Sequence, residues 1–524
     1  MLTNIVELLF EQEQKQPDRP ALLHRDRRIT FRELADNVRR RAGYLRKRQL
    51  GAGDRILIFV PMSIELYEIL LAVFQIGGTA VFLDAWADRR RMEQALEIAG
   101  CRGFIGIPKA FFLLLRSSRL RRVPLKLFSS FPGPKAADAA AGAATAATEP
   151  DEAALITFTT GSTGRPKAAL RTHAFLLEQH RVLRRELALP AAAIDLATLP
   201  IFVLSNLAAG LTTLIPDFDP RRPGEIDGRQ IAAEAARHQV TSTAGSPAFY
   251  DRLAAAADGS AIPSLRQIFL GGAAVFPNLA QRLIQAFPDA AIQIVYGSTE
   301  AEPIAAIAAR EVAAASGERI LRDGLPVGRV CDSIEPAVIP ITAAPLPPFS
   351  EAEWEQFKLP PGETGEICVA GNHVLKQYLN SPEAMKQNKI AVGQRLFHRT
   401  GDAGRLDENG NLFLLGRAKT IFTLQDGRRC YPMPIEYLLQ QLPGVTAGTI
   451  LPIGGRAVLI VEPETDDEAS RQAIAAQIGQ LALPGEKLHF LKPIPRDPRH
   501  QSKFDYDRIA ALCLPNAAAG PASR

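Results

Sequence analysis

The run ITFTTGSTGRPKAALRTH, from Ile156 to His173, holds a dense set of groups able to grip an anion. A short apolar stretch delivers Thr159, Thr160, Gly161, Ser162, Thr163 and Gly164, and Pro166 and Lys167 close the cluster. Glycines let backbone N–H groups turn toward a negative charge, hydroxyls add donors, and the lysine adds positive charge. The combination is a phosphate cradle. A P-loop would require Gly, four residues and then Gly-Lys-Ser/Thr. Here Gly161 is followed by Gly164 and Lys167 by Ala168, so no hydroxyl is set for that loop's magnesium. A dinucleotide fold would need GxGxxG directly after a strand, and that is absent too.

Such a cradle needs strands and helices to position it. Arg55–Pro61 is a compact apolar strand, Leu66, Tyr67, Leu70 and Phe74 follow with helical spacing, and Thr79–Asp84 reads as the next strand. Upstream, Thr30 and Glu33 stand at capping-box spacing, a helix start. The repeated strand–helix–strand pattern predicts an α/β fold with parallel sheets covered by helices. The Ala-rich stretch Pro132–Pro150 predicts a flexible loop within the large domain. A boundary is expected near Gly416–Thr420, dividing an N-terminal domain (1–416) from a C-terminal domain (417–524) with its own strand RAVLIVEP and helix SRQAIAAQIGQLAL.

The 524 residues, 47% apolar and 22% charged, suit a globular protein of more than one domain. A net charge of +5 fits an anionic small substrate or an anionic membrane surface and is too weak to argue for nucleic acid. Cys101, Cys331, Cys368, Cys430 and Cys513 are scattered without ligand spacing, which predicts reduced thiols and a cytoplasmic location. The N-terminal MLTNIVELLFEQEQ reads as an amphipathic helix and not as a signal peptide. Phe111–Phe128 joins an apolar patch to Arg116, Arg119, Arg121, Arg122 and Lys126, so a basic amphipathic helix is expected there, either solvated or laid on an anionic bilayer.

The Thr159–Lys167 run resembles the signature loop of the adenylate-forming (AMP-binding) superfamily of acyl-CoA synthetases, luciferases and peptide-synthetase adenylation domains; only Ala168 replaces the usual glycine. The resemblance implies that the loop grips the β- and γ-phosphates of ATP while a carboxylate attacks the α-phosphate. It also implies the fold of that superfamily, with a large N-terminal domain of stacked sheets and a small mobile α+β C-terminal domain. Tyr296, Gly297, Ser298, Thr299 and Glu300 resemble the family's aromatic turn. Tyr296 is thereby expected to stack on adenine, Thr299 to donate to the α-phosphate and Glu300 to hold Mg²⁺. Glu302 beside it reads as a solvated charge. Arg399–Lys419 resembles the Thr-Gly-Asp motif: Asp402 would take the ribose hydroxyls, Arg417 reach the nucleotide, and Lys419 stand at the hinge. Leu265–Pro277, with Gly272 and Ala273, resembles the turn beside adenine and the acyl chain, and Gly362–Met385 a mostly structural segment.

Lys503 matches the family's C-terminal catalytic lysine, which bridges carboxylate and α-phosphate as charge builds in the transition state. The usual glycine before it is Ser502, and the usual threonine is missing. Asp497, Arg499, His500, Ser502 and Lys503 instead resemble the version found in olefin-biosynthesis β-lactone synthetases and their fatty-acid CoA ligase-like relatives. Phe104–Ala110 and Leu211–Asp227 resemble the same branch. So does the absence of a histidine after Pro-Ile-Phe202, where Val203 stands.

The resemblance implies adenylation of a carboxylic acid, a fatty acyl one by branch, with Phe202 and Val203 near its pocket. The second step is then thioesterification to CoA or closure of a β-lactone by the substrate's own hydroxyl. Rival readings are loading of a carrier protein in trans and a non-catalytic nucleotide binder. No residue names a base for the hydroxyl: His173 and His180 read as helix packing, and His500, beside Lys503, is the better site candidate.

Overall fold

The computed structural model describes residues 3–83, 89–131, 144–160, 166–219, 222–256, 262–481, 483–496 and 504–513. Among these residues it is an α/β protein with two large sheets, a three-stranded sheet and a two-stranded one. The seven-stranded sheet runs, by position, 377–378, 166–172, 153–160, 79–82, 55–59, 103–106 and 125–128. Its pairings from 153–160 to 125–128 are parallel, as the strand–helix alternation predicts, and the cradle hairpin and the strand beyond it are antiparallel.

The larger sheet departs from the parallel expectation. Strands Ile194–Ala197, Thr212–Ile215, Ser242–Gly245, Gln267–Gly271 and Ala291–Ser298 pair in parallel. Every pairing from Ala291–Ser298 onward to Asn411–Arg417 is antiparallel. The reason is local. After Ser298 a tight turn, too short for a crossover helix, joins the next strand, and only an antiparallel return can follow such a turn.

One hydrophobic cluster draws Ile56, Ile58 and Leu155 from the seven-stranded sheet and Leu22, Ala197 and Phe269 from the larger one. Helix Ile64–Gln75 supplies much of the remainder; nearly all of its residues are buried, as an all-round apolar helix requires. Thr30 caps helix Phe31–Lys47 with Glu33 completing the capping box. Leu439, Ile450, Leu459 and Ile474 pack on one side of the small sheet (Val445–Ile453, Arg456–Pro463, Lys487–Phe490), and Leu451, Ile453, Ile460 and Ile509 on the other.

One expected element differs. The segment Phe111–Phe128 is not one helix: a helical turn through Arg116 stops at Ser117, whose hydroxyl accepts from Leu120 N–H and caps a second helix, Ser118–Arg122. An edge strand, Leu125–Phe128, follows. The Ala-rich loop Pro132–Pro150 lies largely outside the described residues, and 144–150 form neither helix nor strand. Among the described residues no helix is long and apolar enough to cross a membrane.

Candidate functional site

The cradle hairpin is paired up to Thr160 opposite Pro166, with Lys167 opposite Thr159. Gly161, Ser162, Thr163 and Gly164 lie outside the described residues. Strand alternation turns Ala168 into a hydrophobic cluster, where it is fully enclosed, and leaves Lys167 on the other face. The methyl that replaces the family glycine is thus core packing. Lys167 Nζ donates to Asn388 Oδ1 at 3.0 Å and lies 5.9 Å from the Tyr378 ring centre. Burial lowers its pKa, while the Glu300 charge opposes that shift.

Thr299 and Glu300 form the turn between Ala291–Ser298 and Ala301–Ala308. A Cβ on Gly297 would sit 3.0 Å from the Ala301 carbonyl, so the close return of the chain calls for glycine. Buried Arg171, on the cradle's second strand, donates to the Thr299 carbonyl at 3.0 Å and ties the hairpin to the Thr299–Glu300 turn. The Glu300 carbonyl accepts from Leu375 N–H at 2.6 Å, and its Oε1 accepts from the Tyr378 hydroxyl at 3.0 Å. Burial, and then the Glu300 charge, raise the Tyr378 pKa.

Lys389 is the residue sequence reasoning missed here. Its ammonium donates to the Leu375 carbonyl and lies 5.8 Å from the Tyr378 ring centre, and burial pushes its pKa down to about 7 against the pull of Glu300. Behind it His398 meets the Asn388 carbonyl at 3.2 Å and is held neutral by burial and by the Lys389 charge. No motif spacing signals Lys389, because its partners are brought to it by the fold.

Asp402 is the second focus. Its Oδ2 accepts from the Tyr296 hydroxyl at 2.8 Å and its Oδ1 from Arg417 Nη1 at 2.6 Å. Asp402 N–H donates to Thr400 Oγ1 at 3.1 Å. Gly401 has φ +71°, and a Cβ there would come within 2.8 Å of the Arg417 guanidinium. Tyr296 thus holds the carboxylate by its hydroxyl, a role the sequence did not suggest. Burial, then the Asp402 charge, raise its pKa, and the same carboxylate raises that of Arg417. Arg399, in the same motif, is buried in a two-pronged ion pair with Glu366 and serves the sheet.

Glu302 is half-buried and not fully solvated. Burial raises its carboxyl to about 6, opposed by the charge of Arg171 beneath the turn. His173 packs edge-on to Phe74 and accepts from Ile5 N–H, and His180 meets the Ser205 hydroxyl at 3.0 Å; burial holds both near 4, the packing role expected of them. Gly272 and Ala273 follow strand Gln267–Gly271. Phe202 and Val203 sit on helix Pro200–Ala209 inside the core, with Val203 fully enclosed.

After Arg417 the chain makes a short turn, Ala418–Thr420, and Lys419 pairs with Asp507 at 3.5 Å. Lys503 and its neighbours Asp497, Arg499, His500 and Ser502 lie outside the described residues, but their flanks are placed. Arg496 and Phe504 bridge antiparallel, and the Arg496 guanidinium lies over the Phe504 ring. Tyr506 then donates to Glu436 Oε1 at 2.7 Å, as does Thr449. Burial pushes the Glu436 carboxyl up to about 7.

Lys167, Glu300, Asp402 and Arg417 thus face one another electrostatically from three separate segments. They bring together two cations and two carboxylates, one of the carboxylates paired to Arg417. That donor set fits Mg²⁺, which favours one or two carboxylates together with phosphate oxygens. Among the described residues no three His, Cys, Asp or Glu side chains converge as a metal cage.

Residues 9–379 match the family model described as AMP-binding enzyme. The chain is 32% identical over 507 residues to the olefin β-lactone synthetase of Stenotrophomonas maltophilia, covering 92% of this chain and 90% of that protein. It is 30% identical over 459 residues to a feruloyl-CoA synthase of an Amycolatopsis species, covering 83% and 82%. Its fold resembles that of the crystal structure of ATP-bound MatB from Rhodopseudomonas palustris, with a TM-score of 0.79 at 22% identity over 98% of this chain and 99% of that one.

Proposed function

The chain belongs to the AMP-binding enzyme family, an adenylate-forming one, and from that premise we propose that it activates a long-chain 3-hydroxy acid with Mg·ATP and closes it to a β-lactone. The observation that carries the first step is the electrostatic coupling of Lys167 and Glu300 with the ion-paired Asp402 and Arg417. Asp402 takes the ribose, Arg417 and Lys167 the phosphates, and Glu300 the magnesium. A carboxylate oxygen of the acid attacks the α-phosphorus, the bond to the β-phosphate oxygen breaks, and pyrophosphate leaves. Positioning and charge neutralisation supply most of such catalysis. Lys503 bridges the two anions in that step, and the small domain then turns about Lys419.

In the second step the 3-hydroxyl oxygen attacks the acyl carbon, the bond from that carbon to the phosphate oxygen breaks, the hydroxyl proton passes to solvent, and AMP leaves. Holding nucleophile and electrophile in one molecule gives a large effective molarity, which offsets ring strain. Likeness to the S. maltophilia synthetase over nearly the whole chain supports this ending. Thioesterification to CoA is the second reading, favoured by the likeness to a feruloyl-CoA synthase.

The test offers the purified enzyme Mg·ATP, a long-chain 2-alkyl-3-hydroxy acid, the matching plain fatty acid and CoA, with products identified by NMR and mass spectrometry. A β-lactone and AMP, formed with or without CoA, is expected. Acyl-CoA from either acid would replace lactone closure with ligation, and no AMP from any acid would overturn adenylation itself.

A further inference from the structure

We infer that the outer face of residues 108–128 is a docking surface for an anionic lipid bilayer. Residues 108–116 run through a 3₁₀ turn into an α-turn with helical backbone at the junction, Phe112 and Leu113 both near φ −63°. Three-residue spacing therefore puts Lys109, Phe112 and Leu115 on one side. Ala110 lies inside a hydrophobic cluster, and Phe111, Leu113 and Leu114 pack against it. The inner side thus meets the apolar needs of the fold. Phe112 nevertheless stays 69% exposed and Leu115 76%, and Phe128, stacked near Phe111 on the edge strand, 49%. Three of the six exposed large apolar side chains among the described residues fall in this one stretch.

The charges around these side chains choose the partner. Lys109, Arg116, Arg121 and Arg122 are exposed, and among the described residues none of them pairs with a carboxylate. Arg119, by contrast, pairs with Glu97 at 2.8 Å and Glu93 at 3.7 Å on the neighbouring helix, so those two carboxylates neutralise this arginine and leave the other four cations uncompensated. Arg121 donates to the Leu114 and Leu115 carbonyls and holds Leu115 in its outward place. Apolar tips flanked by uncompensated cations match a surface of phosphate headgroups over acyl chains. A soluble acidic protein would satisfy the arginines but gives no reason for Phe112 and Leu115 to project. The inference is independent of which acid the enzyme activates.

The test is flotation of the purified full-length protein with vesicles of phosphatidylcholine alone or mixed with phosphatidylglycerol. Binding is expected only to the mixed vesicles, weakening as salt is added. Phe112→Ser/Leu115→Ser and, separately, Arg116→Ser/Arg122→Ser should each lower the partition coefficient at least about tenfold while adenylation in solution is unchanged. All four positions are exposed, and circular dichroism checks the fold. Lack of binding to mixed vesicles, or binding that both variants retain, would overturn the inference. So would a loss of self-association in the apolar variant without any lipid binding by the parent, which would make a second copy the occupant.

Discussion

Replacing Glu436 by Gln should abolish a pH dependence that the packing around the three-stranded sheet carries in the parent. Glu436 is buried beneath helix Tyr506–Cys513 and takes hydrogen bonds from Tyr506 and Thr449. Folding raises its pKa from 4.5 to about 7, mainly by desolvation. That difference is worth on the order of 3 kcal/mol. Between the two values the folded protein keeps a proton that the unfolded chain has released. Its contribution is therefore fully present below about pH 4.5, declines as pH rises, and is lost once pH passes about 7. The amide cannot ionise and keeps one accepting oxygen. Hydrogen exchange read by mass spectrometry, corrected for intrinsic rates, should show peptides covering 432–453 and 504–513 losing protection up to about a hundredfold between about pH 5 and about pH 8 in the parent. The Gln variant should show little change over that range. A parent with the same slope as the variant would refute a protonated, buried Glu436.

Tyr378→Phe removes the hydroxyl that holds the Glu300 carboxylate; kcat should fall about tenfold with a higher magnesium requirement, read from initial rates, and unchanged magnesium dependence would count against the contact. Tyr296→Phe should raise KM for ATP about fivefold and leave the acid's KM alone, checked by pyrophosphate exchange. Arg399→Ala strands a buried Glu366 and should cost about 3–5 kcal/mol in denaturant unfolding, a stability loss and not a selective loss of chemistry. Lys503→Ala should keep ATP binding by calorimetry and lose about 10²- to 10³-fold in pyrophosphate exchange.

Much of the fold was legible where signals are local. Thr30 and Glu33 cap their helix as spaced, and the strand–helix alternation from Arg55 onward gives the parallel part of the seven-stranded sheet. The antiparallel half of the larger sheet was not anticipated, since it turns on tight returns such as that at Thr299–Glu300. Burial was the other blind spot. Glu302 looks like any surface glutamate until the chain folds over it, and Lys389 lies 89 positions from Glu300 in the sequence, a distance no periodicity spans. Glu436 and Tyr506, 70 residues apart, escaped for the same reason. Ser117 shows a subtler limit. A serine in a basic, apolar run disturbs the helical pattern little, yet its hydroxyl offers the next N–H groups a cap and the helix breaks there.

The strand Asn411–Arg417 ends at a side chain and a carbonyl that are both tethered. The Arg417 guanidinium is held by Asp402, while its carbonyl accepts from the Thr420 hydroxyl at 2.8 Å. The link beyond Lys419 therefore begins at a fixed post, and a pull on it passes through Arg417 to Asp402 and, through that carboxylate, to Tyr296. Three residues far apart in the sequence thus bear load as one tie.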